Sequence, residues 1–118
     1  MSIHLGGVTI DCADPAKLAG FWTEALGAKI IQDYGGEFIF IAADADSRPY
    51  VGLQRVPEKR AGKNRVHIDL AAADREAEVQ RLVGLGATAV TEHSVPGLTW
   101  TVMQDPEGNE FCVGGANP

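Results

Sequence analysis

The sequence predicts an α+β protein built from two copies of one β-α-β-β-β module. Three observations point there. Alternating apolar and polar runs, the mark of half-buried strands, recur along the chain. Each of the two helical stripes follows such a run and an Asp. The two halves also match: Thr9-Ile10-Asp11 answers His67-Ile68-Asp69, Asp14 answers Asp74, and Leu26-Gly27-Ala28 answers Leu85-Gly86-Ala87 at a spacing of 59, half of the 118 residues. Three matches in one order predict an internal duplication.

The elements follow in turn. Val8 to Cys12 alternates and predicts the first strand. Asp14-Pro15 is an N-cap followed by a proline suited to the first helical position. Leu18, Phe21, Trp22 and Leu26 form a helical stripe, and Gly27 ends it, so the first helix runs over about 15–26. Strands are expected near 28–33, 37–43 and 50–56, with Gly35-Gly36 turning between the first two. The polar, basic run 58–64 is a linker between module 1–57 and module 65–118. The pattern then restarts with a strand over 66–70. A helix capped by Asp74 follows, with Val79, Leu82 and Val83 as its stripe and Gly86 as its stop. Further strands are expected near 87–92, 98–104 and 110–114, the last two joined by the turn Asp105-Pro106-Glu107-Gly108-Asn109. Each module is close to the smallest size that holds its own core, so the modules are expected to pair within the chain or with a second copy.

Composition narrows the function classes. Ten basic residues against 16 acidic ones leave a charge of −6, which argues against a nucleic-acid partner. No apolar run is long enough to span a bilayer. The start, MSIHLGGVTI, lacks the basic and apolar regions of a secretion signal. Cys12 and Cys112 do not make a disulfide framework. A cytoplasmic, reduced protein with no membrane partner is expected.

Alternation divides each strand into two faces. The apolar faces belong under the helices. The other faces gather Thr9, Asp11, Gln54, His67, Asp69, Glu110 and Cys112. Polar residues are ordinary on the wet face of a sheet. If the sheet curls, the same residues line a cleft whose His, thiol and carboxylates can bind a metal or move protons. Trp100 either stacks on a flat ligand or packs in the core, and Phe38 and Phe40 share the same two readings. Arg55 begins the basic run that continues through Lys59, Arg60, Lys63 and Arg65, a solvated loop or an electropositive rim drawing an anionic small molecule. His4, near the start of the sequence, and His93, near the loop containing Pro96-Gly97, are expected to be solvent-exposed, with lining of the cleft as the lesser alternative.

The paired modules, the segment from Asp14-Pro15 to Leu26-Gly27, the run Leu53 to Glu58, the run Gly62 to Leu70 and the ending Asp105 to Glu110 resemble the glyoxalase/bleomycin-resistance/extradiol-dioxygenase (vicinal oxygen chelate) superfamily, and within it the small glyoxalase-like domain proteins. The resemblance covers nearly the whole chain. It implies one glyoxalase-like domain over 1–118, with a curved mixed sheet around a central cleft. Metal enzymes of the superfamily hold a divalent ion from four strand positions. The first lies seven residues before the helix-capping Asp, here Gly7, which has no donor. The second falls on Gln54, a weak carbonyl donor, and the third on His67. The fourth lies seven residues after the Asp of the Asp-Pro turn, at Cys112, where the metal enzymes carry Glu. A thiolate suits a soft ion, and a thiol is also a common small buried hydrophobe. A divalent metal is the one cofactor this resemblance brings in, with His67, Gln54 and Cys112 as its incomplete ligand set.

Three function classes follow. One is an enzyme, a lyase, isomerase or oxygenase acting on a small polar metabolite, with His67 as ligand or base and Glu110, Asp69 or Asp11 moving protons. Trp100, Arg55 and Thr9 would then contact the substrate. The second is a metal-free protein of the bleomycin-resistance kind that sequesters a drug or other small molecule. The third is a glyoxalase-like domain with a regulatory role. The superfamily habit favours a homodimer.

Overall fold

The computed structural model describes residues 2–115. Its elements run β1 (Gly7–Cys12), α1 (Pro15–Leu26), β2 (Lys29–Asp33), β3 (Phe38–Ala42), β4 (Tyr50–Arg55), β5 (Ile68–Ala72), α2 (Arg75–Gly84), β6 (Thr88–Val95), β7 (Leu98–Gln104) and β8 (Glu110–Gly115). The α+β class and the repeated β-α-β-β-β order are as the sequence predicts. The chain divides into two compact units, Met1–Lys59 and Arg60–Pro118.

In the first unit the sheet order is β1-β4-β3-β2, with β1 parallel to β4 and the other pairs antiparallel. Asp14 caps α1, its carboxylate accepting from Lys17 N at 3.2 Å, and Pro15 takes the first turn, where its missing N–H costs nothing. Gly27 closes the helix at φ 60°, a conformation L side chains resist. α1 lays Leu18, Phe21, Trp22 and Ala25 against the β3–β4 face that carries Ile39, Ile41 and Leu53, all buried. Phe21 and Trp22 meet edge to face at 5.1 Å.

The second unit repeats this plan, in the order β5-β8-β7-β6, with β5 parallel to β8. Asp74 caps α2 through Ala77 N at 3.1 Å. Val79 and Leu82 are buried together with Met103, Phe111 and Val113 in this unit's core, with α2 packed on β8, β6 and β5. Val83, expected in that stripe, is 41% exposed, at the edge of the seam that Val79 and Leu82 bury. The Asp105 turn is closed from inside. Asp105 is 3% exposed, and its Oδ1 accepts from Glu107 N at 2.9 Å and Asn109 N at 3.0 Å.

Two boundaries depart from expectation. β5 begins at Ile68, two residues later than expected, so Val66 lies outside the sheet and is 76% exposed. β6 extends to Val95, past the expected end at 92. Val95 pairs with Leu98 across Pro96-Gly97, where Gly97 has φ 84°. Proline followed by a positive-φ glycine is the pair a two-residue tight turn uses, so both strands must run up to it. Among the described residues no helix is long and apolar enough to cross a membrane.

Candidate functional site

The open face of the second unit's sheet carries the candidate site. Phe111 and Val113 point to α2 and are 0% and 1% exposed, so alternation sends Glu110, Cys112 and Gly114 to the other face. Register extends that face sideways. Cys112 is flanked by Asp69 on β5 and Val102 on β7, and Gly114 by Ala71 and Trp100. Trp100 is paired in turn with His93 on β6. His67 lies immediately before β5, two residues ahead of Asp69, and returns its ring to the same place. Its Nδ1 is 3.1 Å from Asp69 Oδ1.

His67, Asp69 and Cys112 therefore converge, with one donor atom from each lying within 4.8 Å of the others. They stand at one end of a concavity of about 780 Å³, whose remaining wall is apolar: Leu70, Ala71, Leu98, Trp100 and Gly114 among others. A smaller recess of about 210 Å³ adjoins it, sharing His67, Trp100 and Cys112 and adding Lys63, His93 and Glu110. Cys112 is buried, and desolvation pushes its thiol up from the ordinary value; the Asp69 carboxylate acts in the same direction and Lys63 against it.

The other expected residues are placed as follows. Glu110 borders the small recess, and its Oε1 also accepts from Asn64 N at 2.8 Å, tying the linker to β8. Trp100 is half-buried on the open face rather than in the core. Thr9, Asp11, Gln54 and Arg55 belong to the first unit. Asp11 pairs with Gln54, which pairs with Phe38, and Thr9 pairs with Gly52, so these share that unit's open face. Arg55 donates to Ala13 O at 2.6 Å and lies 3.5 Å from Glu37, so a carboxylate already shares its charge.

That first-unit face is aromatic. Phe38 meets Phe40 edge to face at 4.7 Å, and Phe40 stacks on Tyr50 at 4.4 Å. The Tyr50 ring covers Gly7 so closely that a Cβ there would fall 2.4 Å from Cδ1 and Cε1. The first of the four superfamily metal positions thus has neither a donor nor room for one. Gly7, Gln54, His67 and Cys112 do not fit the four-strand metal set.

His93 is exposed, as the sequence predicts, and stands on β6 at the small recess, its ring stacked on Trp100 at 5.4 Å and 23°, with Nε2 2.7 Å from Thr91 Oγ1. The signal that places it was the Pro96-Gly97 turn, which brings the residues on either side into register. Ala71 and Gly114 were missed, since small residues carry no chemical signature, only room.

A family model for the glyoxalase-like domain matches residues 7–114, and the chain belongs to that family. Similar solved structures agree in fold. A glyoxalase/bleomycin resistance protein/dioxygenase family enzyme from Burkholderia phytofirmans PsJN is 17% identical, with a TM-score of 0.80 over 97% of this chain and 99% of that one. The fosfomycin resistance protein FosX from Listeria monocytogenes, determined as a mutant with Mn(II) and 1S,2S-dihydroxypropylphosphonic acid, is 18% identical with a TM-score of 0.77 over 96% and 90%. Lactoylglutathione lyase from Agrobacterium tumefaciens is 17% identical with a TM-score of 0.70 over 98% and 94%. No curated protein matches the sequence.

Proposed function

We propose that this glyoxalase-like protein binds a small molecule with a flat apolar body and a polar head on the open face of its second unit. The observation that carries this reading is the roughly 780 Å³ concavity, apolar along its wall and polar at one end. That volume lies within the range of small-molecule sites, and a few converging polar groups in an apolar cleft are their usual anatomy. The body stacks on Trp100, which His93 backs, above the space left by Gly114 and Ala71. The head meets His67 and Asp69. A wholly polar metabolite would leave the apolar wall unused, so the sequestering reading is favoured over a polar-substrate enzyme.

Fluorescence titration tests this. Trp22 is 1% exposed in the first unit's core, so a ligand on the open face should quench Trp100 selectively. A panel of planar aromatic cations and anions should give saturable quenching and raise the melting temperature. Saturating ligand at about 100 times its Kd adds about 2.7 kcal/mol. Trp100→Ala should abolish both responses. No quenching and no melting shift at millimolar concentrations would sink the proposal.

One observation favours turnover as a second reading. With Nδ1 held by Asp69, a neutral His67 ring keeps its lone pair on Nε2, the arrangement of an oriented general base. We read the two units as one domain in a cytoplasmic homodimer. Light scattering on the purified protein checks the dimer, and localisation of the tagged protein checks the compartment.

A further inference from the structure

The second unit's sheet ends on an edge strand built to accept another strand. We propose that two copies of this chain join there, β6 pairing antiparallel with β6 of the partner subunit about a two-fold axis. The inference rests on the homodimer reading and names the surface that makes the dimer.

β6 stands at the end of the order β5-β8-β7-β6, so one of its sides has no strand in this sheet. It is the longest strand among the described residues, and all eight of its residues are exposed. An edge strand offers unpaired N–H and C=O groups to another chain, and proteins blunt such edges with short strands, charges, proline or bulges. β2, the counterpart of β6 in the first unit, has five residues and carries Lys29 and Asp33 at its ends. β6 is bulged only between Ala89 and Thr91. From Thr91 to Val95 its one carboxylate is Glu92, which the Arg75 guanidinium already holds, and it has no Lys or Arg. Val90 and Val95 add exposed apolar side chains to the same strand.

The β6–β7 turn decides which main-chain groups face outward. Val95 and Leu98 close a two-residue turn and bond to each other, and by alternation His93 bonds to Trp100 and Thr91 to Val102. Glu92 and Ser94 therefore turn their N–H and C=O groups to the free edge. The register between copies follows from what these two residues meet. With Glu92 opposite itself, two carboxylates face each other, which is unfavourable. With Ser94 opposite itself, Glu92 faces Pro96, which has no N–H to give. With His93 opposite itself, each Glu92 faces Ser94 of the partner subunit, and every outward group of both residues is bonded. Thr91 then meets Val95 of the partner subunit. Opposed residues lie on one face in this register, as an isologous two-fold pairing requires. The open faces run on from one copy to the other. His93, stacked on Trp100 at the small recess, receives His93 of the partner subunit beside it.

A cross-link tests the register. Opposed residues that share no main-chain bond stand about 4.5 Å apart at Cα, within disulfide reach. His93→Cys should give a dimer on a non-reducing gel after treatment with oxidised glutathione, while Thr91→Cys, which faces Val95, should not. Native Cys12 and Cys112 are buried and set the background. Light scattering on the full-length protein gives the second arm. Ser94→Pro removes one outward N–H from each copy and should raise the dimer Kd about tenfold, with a cooperative urea transition showing that the variant is folded. His93→Lys and His93→Glu should each weaken the dimer, and mixing the two should restore it as a heterodimer. No cross-link at His93→Cys, or equal cross-linking at both positions, would overturn the pairing. A dimer indifferent to Ser94→Pro would overturn it too and leave the homodimer reading standing, whereas a monomeric wild type would overturn both.

Discussion

Gly7→Ala probes the replacement of a superfamily ligand position by an aromatic ring. The added methyl would fall 2.4 Å from two Tyr50 ring carbons and 2.6 Å from a third. Carbon atoms rest about 3.5–4.0 Å apart, so the ring must shift by more than about 1 Å. Tyr50 is stacked on Phe40 at 4.4 Å and lies under the Arg48 guanidinium at 5.6 Å, so moving it gives up those contacts. Overpacking of this kind costs about 1–3 kcal/mol. Replacing glycine within a strand recovers about 0.5–1 kcal/mol of backbone entropy. The net expectation is a loss of roughly 0.5–2 kcal/mol. In a Tyr50→Ala background the clash is gone and only the entropy gain remains, so the same substitution should stabilise. Urea unfolding of the four proteins in this double-mutant cycle measures it, with equal m values as the check that the unfolded state is unchanged. An equal effect of Gly7→Ala in both backgrounds, or none in the first, would refute the packing of Tyr50 over Gly7.

Other substitutions have defined outcomes. Phe111→Ala, at a fully buried position of β8, should cost about 3–5 kcal/mol in urea unfolding. Asp105→Ala removes the acceptor for two backbone N–H groups in a buried turn and should cost about 1–3 kcal/mol, while Asp105→Asn, which keeps a carbonyl oxygen there, should cost less. The backbone N–H of Asp46, then the Ser47 hydroxyl, holds the Asp44 carboxyl below its ordinary value. Its contribution to stability is therefore present above the unfolded-state pKa and is lost as pH falls through the lower folded-state value. Asp44→Asn should flatten that part of the acid limb of a melting-temperature profile, and an unchanged acid limb would count against the loop hydrogen bonds.

The repeated β-α-β-β-β order was legible because it rests on local physics. Asp14 and Asp74 cap helices with their own side chains, Gly27 supplies a left-handed stop, and Phe111 alternates with Cys112 because a strand has period two. The same alternation puts His67, Asp69, Glu110 and Cys112 on one face. Strand ends were harder to read, since Val66 fits an alternating pattern yet ends up outside β5, where no partner strand continues.

By itself, the sequence determined the module, its duplication and which residues share a face, all consequences of neighbours within a few positions. Tertiary structure alone decided which of those residues meet. The parallel register of β5 against β8 sets Asp69 beside Cys112, and the β6–β7 pairing sets His93 on Trp100. It also decided that a tyrosine ring, 43 residues away in sequence, fills the space above Gly7. Those outcomes depend on pairing and packing between segments far apart in the chain, where residue type constrains little and the shape of the available space constrains most.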